Sequence, residues 1–311
     1  MNWREKIHHT TGADNGHYQS NMDWIQKMNH AMDYIEIHLD DRIDYHEVAG
    51  ITQCSVYHFQ RFFSFLAEMP LSEYIRRRRL TQAAFELQNS DIKVIDAALK
   101  YGYESPEAFA RAFKGMHGMA PTSARKKGVR LKAYPCITFH ISLKGESEMN
   151  YRIEQRETLE MYGVETEIST ADNQNFISVP MFWETCRKDG TIDAIRRAGQ
   201  IGADVPLHAA MYNCTDHSHT YMIGYFSPAS GAPGGFSTVT IPASTWAVFP
   251  TGALPMPEAA RQSGVMWKRI FTEWFATSGY ELAVAPEMEL HHQTGDGLYV
   301  TEIWIPIVKN K

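Results

Sequence analysis

Two segments of the chain, fifty residues apart, repeat one spacing of serine, phenylalanine and arginine. Each starts with a serine, Ser55 or Ser105, and continues with phenylalanine four, arginine six and phenylalanine eight positions later. Such a serine can cap a helix by accepting hydrogen bonds from its first free backbone N–H groups. The phenylalanines then form a buried stripe that leaves Arg61 and Arg111 facing outward. An outward arginine can donate two hydrogen bonds to guanine in the major groove of DNA.

Helices must position these side chains, and the first 127 residues carry helical spacing almost throughout. Apolar residues recur at helical intervals from Met22 to Leu39, and Pro106 suits the first position of the second capped helix. Three further helices are predicted over residues 45–50, 71–87 and 92–101. The pattern therefore predicts an all-helical first half with two helix-turn-helix units, preceded by a loose polar arm over residues 1–20.

The second half of the chain is rich in the aromatic and β-branched residues that favour strands. Strands are predicted over residues 137–143, 151–168, 221–226, 237–241, 245–249 and 298–308, and helices over residues 176–198 and 258–278. Two strand–helix–strand–strand runs in tandem indicate a duplicated α+β domain. The protein is thus expected to be multidomain.

Charge divides between the two halves. Residues 55–130 hold 13 Lys and Arg against 7 Asp and Glu, a net charge of +6, whereas residues 131–311 hold 13 against 20, a net charge of −7. A basic half joined to an acidic half suggests that only one of them meets phosphate. The overall net charge of −6 therefore does not exclude nucleic-acid binding.

The remaining composition narrows the class of protein. No apolar run approaches the roughly 20 residues of a membrane helix, and the N-terminus has no apolar signal core. The four cysteines are scattered without a C-x-x-C pair, which favours a reducing cytoplasm over disulfides or a thiolate metal site. His217, His219, His291 and His292 lack metal-site spacing, and we predict that they lie in surface loops. Common catalytic and cofactor motifs are missing, so no catalytic residue, metal or cofactor is predicted.

Residues 40–127 resemble the AraC/XylS-type DNA-binding domain, in which a long helix joins two helix-turn-helix units. The matching segments are HFQRFF, LSEYIRRRRLTQAA, VIDAALKYGYES and FARAFKGMHGMAP. Thr52-Gln53 departs from the pattern, because the family usually has glycine in that turn. The resemblance implies a DNA-binding domain over residues 21–130, with double-stranded promoter DNA and RNA polymerase as partners, and it requires no dimer.

By position in this motif, six residues are predicted to face the DNA grooves: Tyr57, Gln60 and Arg61 in the first helix, and Glu107, Ala108 and Arg111 in the second. Arginine suits guanine, glutamine suits adenine, and a glutamate can accept from cytosine. The alternative for each is contact with phosphate or solvent alone. Among the four arginines 76–79, one or two at most can reach DNA, since helical rotation spreads them over several faces.

Three segments near the C-terminus, TIPASTWAVFPTG, WKRIFTEWFATSGYEL and YVTEIWIPI, resemble the GyrI-like effector-binding domain of multidrug-sensing regulators. The likeness covers about residues 149–309. It implies a domain over residues 131–311 in which tandem βαββ units surround a ligand pocket, and it implies a lipophilic cation as the ligand.

Glu302 is the carboxylate that this resemblance and the strand pattern single out. It alternates with apolar residues and shares a strand face with Trp304, and a buried charge needs a partner. The partner is either a cationic ligand or an internal Lys, Arg or hydroxyl. The predicted effector-binding residues are Glu302, Trp304, Trp246, Trp183, Tyr221, Tyr225 and Phe249. Core packing is the alternative for each aromatic ring.

These patterns favour a transcriptional regulator that binds DNA with its helical half and a small hydrophobic cation with its α+β half, and that is not an enzyme. Two alternatives keep DNA binding but change the second domain. It could hydrolyse small electrophilic compounds with Glu302 as the base, or it could bind another protein.

Overall fold

A computed structural model describes residues 24–126, 128–140, 148–169, 174–215 and 218–309. The predicted arm over residues 1–20 lies outside these ranges. The helical half contains α1 (Trp24–Ile37), α2 (Tyr45–Thr52), α3 (Val56–Ala67), α4 (Leu71–Asn89), α5 (Val94–Lys100), α6 (Pro106–His117) and α7 (Pro121–Ala124). Every helix predicted in this half is confirmed, and α4 joins the two helix-turn-helix units. No helix within the described ranges is both long and apolar enough to cross a bilayer.

Both predicted serine caps are present. The hydroxyl of Ser55 accepts from the backbone N–H of His58 at 3.2 Å, and that of Ser105 accepts from the backbone N–H of Ala108 at 3.1 Å. The turn before α3 places Gln53 at a φ of 56°, in the left-handed region that glycine favours. The unusual residue in this turn therefore leaves the turn intact.

The arginines of α4 bind acids and carbonyl groups of the same half. Arg76 and Arg77 donate to Glu73, and Arg79 donates to backbone carbonyls of the α1–α2 connection. Arg78 is buried and forms an ion pair with Glu36 at 2.7 Å. These pairs hold the joining helix against its neighbours.

The second half forms one antiparallel sheet of nine strands. They are β1 (Arg152–Arg156), β2 (Leu159–Ser169), β3 (His208–Tyr212), β4 (Ser218–Phe226), β5 (Ser237–Ile241), β6 (Ser244–Pro250), β7 (Tyr280–Leu282), β8 (Glu287–Gln293) and β9 (Tyr299–Lys309). The order is β1-β6-β9-β8-β3-β4-β2-β5, with β7 beside β9. Strands β2, β3 and β4 form one βαββ unit and β6, β8 and β9 form the other. They join where β3 pairs with β8, which confirms the tandem arrangement.

Helices cover one face of this sheet. The first unit carries α8 (Asn175–Lys188) and α9 (Thr191–Ala198), and the second carries α10 (Met256–Arg269), a π-helical turn over 270–274 and α11 (Phe275–Ser278). The predicted single helix over 176–198 divides at Gly190, whose φ of 82° ends α8.

One predicted strand is wrong, the strand predicted over 151–168 is divided into β1 and β2, and three strands are not predicted by the sequence pattern. Residues 137–140 of the predicted strand 137–143 pair with no strand, and the rest lies outside the described ranges. Backbone groups of Phe139 instead bond the side chain of Asn29 at 2.8 and 2.9 Å, which ties this segment to α1. Strands β3 and β7 are short, and β8 is rich in acids and histidines that strands disfavour.

Candidate functional site

A cavity of about 770 Å³ lies between the sheet and the helices above it. Two of its walls come from α8–α9 and from α10, and its floor comes from β3, β4, β8 and β9. The remaining wall is α3 of the first helix-turn-helix unit, which contributes Tyr57, Arg61 and Phe65. The cavity is therefore shared between the two halves of the chain.

Glu289 supplies a carboxylate to the cavity floor. Its Oε1 accepts hydrogen bonds from Ser263 at 2.7 Å and from the indole N–H of Trp267 at 2.6 Å. Among the described residues, no basic side chain forms an ion pair with it, whereas the nearby Asp193 and Glu287 are paired with arginine. Glu289 thus places a carboxyl group, without a basic partner in the described ranges, inside a partly enclosed site.

Aromatic rings surround this carboxylate. Trp183 and Tyr221 both line the cavity, and the indole N–H of Trp183 donates to the Tyr221 hydroxyl at 2.9 Å. Burial and the charge of Glu289 raise the pKa of Tyr221, so its hydroxyl stays protonated. The floor therefore combines one negative charge with neutral, electron-rich rings.

The histidines of the cavity are neutral near pH 7. Burial and the charge of Arg61 lower the pKa of His219 to about 4, and burial also lowers the pKa of His291. Both lie on strands, so their predicted place in surface loops is wrong, while His217 lies outside the described ranges. No group among the described residues could hold a metal ion.

The predicted carboxylate, Glu302, lies on the opposite face of the sheet. In the register of β8 and β9, Glu289 pairs with Ile303, whereas Glu302 pairs with Leu290 and points away from the cavity. The guanidinium of Arg152 binds both carboxylate oxygens of Glu302, at 2.7 and 3.0 Å. Although burial opposes it, hydrogen bonding by His292 and Arg152 lowers the pKa of Glu302 to about 2.

The six predicted aromatic residues divide among three places. Trp183 and Tyr221 line the cavity. Trp246 and Trp304 lie on the Glu302 face and contact each other with ring centroids 5.9 Å apart. Tyr225 and Phe249 are buried in the core between sheet and helices. Strand alternation explains why Trp246 and Phe249, three residues apart on β6, face opposite sides of the sheet.

The predicted DNA-facing residues of α3 lie against the second half of the chain. Tyr57 is 3% exposed and contacts His219, with ring centroids 5.4 Å apart. Arg61 forms an ion pair with Glu287 of β8, and its guanidinium lies 4.1 Å from the centroid of the Trp267 ring. Gln60 is half-buried. Their contact with DNA stays a prediction.

The Arg61–Glu287 pair is buried on both sides, with side-chain exposures of 13% and 4%. Although burial favours the neutral carboxylic acid, the Arg61 charge and His58 hold the pKa of Glu287 well below its usual range. Burial lowers the pKa of Arg61, but the Glu287 charge outweighs it and raises that pKa. Both groups are therefore charged.

The predicted DNA-facing residues of α6 are oriented differently. Glu107 and Arg111 are exposed, as is Lys114 one turn further on, and Ala108 is half-buried beside them. Phe109 and Phe113 fill the core beneath and are fully buried. This surface is open to a DNA groove in the structure as it stands.

The sequence does contain a signal for Glu289. Glu287, Glu289 and His291 alternate with Met288 and Leu290, which places three polar groups on one strand face. A short strand with two acids has low β-propensity, so the segment did not stand out.

Comparison with known proteins matches both halves. A family described as integron-associated effector binding protein matches residues 152–307, and a helix-turn-helix domain family matches residues 48–127. The transcriptional activator AarP of Providencia stuartii is 42% identical over 92 residues, which cover 30% of this chain and 68% of AarP. The regulatory protein SoxS of Salmonella typhimurium is 32% identical over 31% of this chain and 90% of SoxS.

One solved structure similar to the second half is that of SAV2435 bound to tetraphenylphosphonium. It covers 51% of this chain and 94% of its own, at 21% identity and a TM-score of 0.43. The family matches, together with the fold and the cavity, identify the chain. It belongs to the AraC-type helix-turn-helix transcriptional regulators and carries a C-terminal effector-binding domain of the GyrI-like, integron-associated family.

Proposed function

We propose that the effector of this regulator is a lipophilic organic cation bound in the 770 Å³ cavity, and that the protein acts without a catalytic step. The observation that carries the proposal is Glu289, a carboxylate without a basic partner among the described residues. A cation placed beside it would supply the missing charge. The volume of the cavity falls within the roughly 300–1,000 Å³ typical of small-molecule sites.

The rings around Glu289 favour a cation with apolar substituents. Trp183, Tyr221 and Trp267 present faces or edges to the cavity, and each favourable ring contributes about 0.5–2 kcal/mol to cation binding. An inorganic cation would lose its hydration without gaining oxygen ligands, since one carboxylate does not complete a coordination shell. A bulky organic cation is more weakly hydrated, so it loses less hydration free energy on entering the cavity.

The alternative functions find less support. The hydrolase hypothesis needed Glu302 as a base in the pocket, but Arg152 holds Glu302 on the other face of the sheet. A filled pocket would have favoured the protein-interaction hypothesis, whereas the cavity is open.

We also propose that DNA is bound by α6 through Glu107, Ala108 and Arg111, and by α3 through Tyr57, Gln60 and Arg61. The exposed basic surface of α6 supports the first set. The α3 set can contact DNA only after Arg61 leaves its ion pair with Glu287. RNA polymerase remains a proposed partner, in line with the similarity to the transcriptional activator AarP.

Titration calorimetry with tetraphenylphosphonium tests the effector proposal. Glu289→Gln keeps the shape and both hydrogen-bond donors but removes the charge, so affinity should fall roughly ten- to a hundredfold. The neutral triphenylphosphine oxide should bind both proteins weakly and equally. Glu302→Gln should bind the cation like the wild type. Unchanged affinity in Glu289→Gln would contradict the role of Glu289, and a loss in Glu302→Gln alone would return the ligand role to Glu302.

A further inference from the structure

Helix α3 serves two sites at once. It is the first recognition helix of the DNA-binding half, and it is also one wall of the effector cavity. None of its residues, all of which the structure describes, is exposed. A recognition helix that reads bases needs one face free to enter a groove about 12 Å wide. In this conformation α3 has no such face.

One side of α3 packs on its own half of the chain, and the effector domain covers the other. Phe62 packs on Phe271 with ring centroids 4.6 Å apart, and Phe65 stacks on the same ring at 5.6 Å. Tyr57 and Arg61 contact His219, Trp267 and Glu287. We call this set, formed by Tyr57, Arg61, Phe62 and Phe65 against His219, Trp267, Phe271 and Glu287, the α3 interface.

Of the α3 residues, Arg61 makes the largest number of favourable contacts in this interface. Its guanidinium is paired with Glu287 and lies within 6 Å of the ring centroids of Tyr57, Phe65, Trp267 and Phe271. Cation–π contact of this kind is strongest where water is excluded. The side chain cannot hold these partners and donate to guanine at the same time.

Trp267 connects this interface to the effector carboxylate. Its indole N–H donates to Glu289 at 2.6 Å, while its ring face lies 4.1 Å from the Arg61 guanidinium. A cation bound at Glu289 would compete for the same indole. One side chain therefore touches both the effector subsite and the arginine of the recognition helix.

We propose that the α3 interface is an autoinhibitory contact, in which Glu287 and Trp267 hold Arg61 away from DNA and only the second helix-turn-helix unit is free to bind. Reading two successive grooves requires this interface to open. An effector in the cavity acts on DNA affinity by changing the balance between closed and open forms. The inference rests on the proposed roles of Arg61 at DNA and of Glu289 at the effector.

The first test measures DNA affinity by fluorescence anisotropy, with a labelled duplex selected from a random-sequence pool by the full-length protein. Glu287→Gln leaves Arg61 buried without its counter-charge, which destabilises the closed form on the order of a hundredfold. We expect DNA to bind at least about tenfold more tightly, with a steeper salt dependence because more phosphates are engaged. Glu302→Gln, which breaks another Glu–Arg pair far from α3, should leave affinity unchanged.

Further variants separate this inference from the functions on which it rests. If Arg61→Ala changes affinity in neither the wild-type nor the Glu287→Gln background, Arg61 does not read DNA, and the proposed DNA contact is wrong. If tetraphenylphosphonium fails to bind at all, only the effector proposal is wrong. If Arg61→Ala weakens binding but Glu287→Gln does not strengthen it, the autoinhibitory contact is overturned.

A second test uses the unaltered protein, so it does not depend on the folding of a variant. Glu68 and Lys268 form an ion pair across the α3 interface, and a water-soluble carbodiimide can convert it to an amide. Mass spectrometry should show that excess selected duplex lowers the yield of this crosslink about tenfold, because DNA binds the open form. The Glu184–Lys188 pair on α8 is the control and should react equally. A Glu68–Lys268 yield that DNA does not change would contradict the inference.

Discussion

The two recognition helices of this protein begin with the same serine cap and carry an arginine at the same position, yet they differ in solvent exposure. Helix α6 leaves Glu107 and Arg111 exposed, whereas α3 turns Arg61 into a buried ion pair with another domain. Part of the difference lies in the helices themselves, because α3 has Phe62 and Phe65 where α6 has Ala112 and Gly115. Both phenylalanines contact Phe271 in the turn that follows α10. A recognition helix is thus defined by its neighbours as well as by its sequence.

The largest expected effect concerns the phenylalanine cores of the two units. Phe62→Ala and Phe109→Ala should each lower the free energy of unfolding by about 3–5 kcal/mol, since both remove a buried ring. Of these two residues, Phe62 is the one that contacts Phe271, so a double-mutant cycle in urea should show a coupling of about 0.5–1.5 kcal/mol for Phe62 with Phe271. Equal coupling of Phe271 with Phe109 would remove the distinction between the units.

The next effect compares the two arginines at DNA. Arg111→Ala should weaken binding of the selected duplex by about 1–3 kcal/mol, because Arg111 is free to contact it. Arg61→Ala should weaken binding less, because it also removes the ion pair that holds α3 closed. Lys188→Ala, an exposed cation on α8, is the control and should have no effect. A larger loss in Arg61→Ala than in Arg111→Ala would break the comparison.

Low pH should destabilise the contact between the first helix-turn-helix unit and the effector domain through His219, which contacts Tyr57 of α3. Its pKa is about 4 in the folded protein against 6.5 in the unfolded chain. Between these values the unfolded chain binds a proton that the folded protein does not. The free energy of unfolding should therefore fall as pH decreases from 6.5 to 4, by up to about 1.4 kcal/mol per pH unit from this residue.

Urea unfolding across this pH range should show a shallower slope in His219→Gln than in the wild type. Identical slopes would mean that His219 titrates alike in the folded and unfolded protein, and would contradict the lowered pKa.

The smallest effect concerns the turns that precede the two helices. Gln53 has a φ of 56° and Gly102 a φ of 78°. Gln53→Gly should stabilise the fold by about 0.5–1 kcal/mol, offset in part by loss of the hydrogen bond from Lys27. Gly102→Ala should destabilise it by more, since the new Cβ would lie 2.6 Å from a nitrogen of Arg79. Thermal denaturation distinguishes the two, and stabilisation by Gly102→Ala would contradict this account.

Much of the fold follows from the sequence because local signals agree with it. Serine caps and phenylalanine stripes predict α3 and α6, and alternation predicts most strands. The division of the helix over 176–198 at Gly190 is not predicted. The sequence pattern singles out Glu302 instead of Glu289, because alternation marks a strand face without saying which face meets the helices. That choice depends on the pairing of β8 with β9, a long-range property. The burial of Arg61 likewise depends on a domain more than 200 residues further along the chain.

The most direct test of the central claim is the reactivity of two arginines in one protein. Phenylglyoxal modifies exposed guanidinium groups, and mass spectrometry can follow Arg61 and Arg111 in the same sample. If the effector domain covers the first recognition helix, Arg111 should react at least about tenfold faster than Arg61 in the free protein, and Glu287→Gln should raise the rate at Arg61. Equal rates at the two arginines in the wild-type protein would contradict the account.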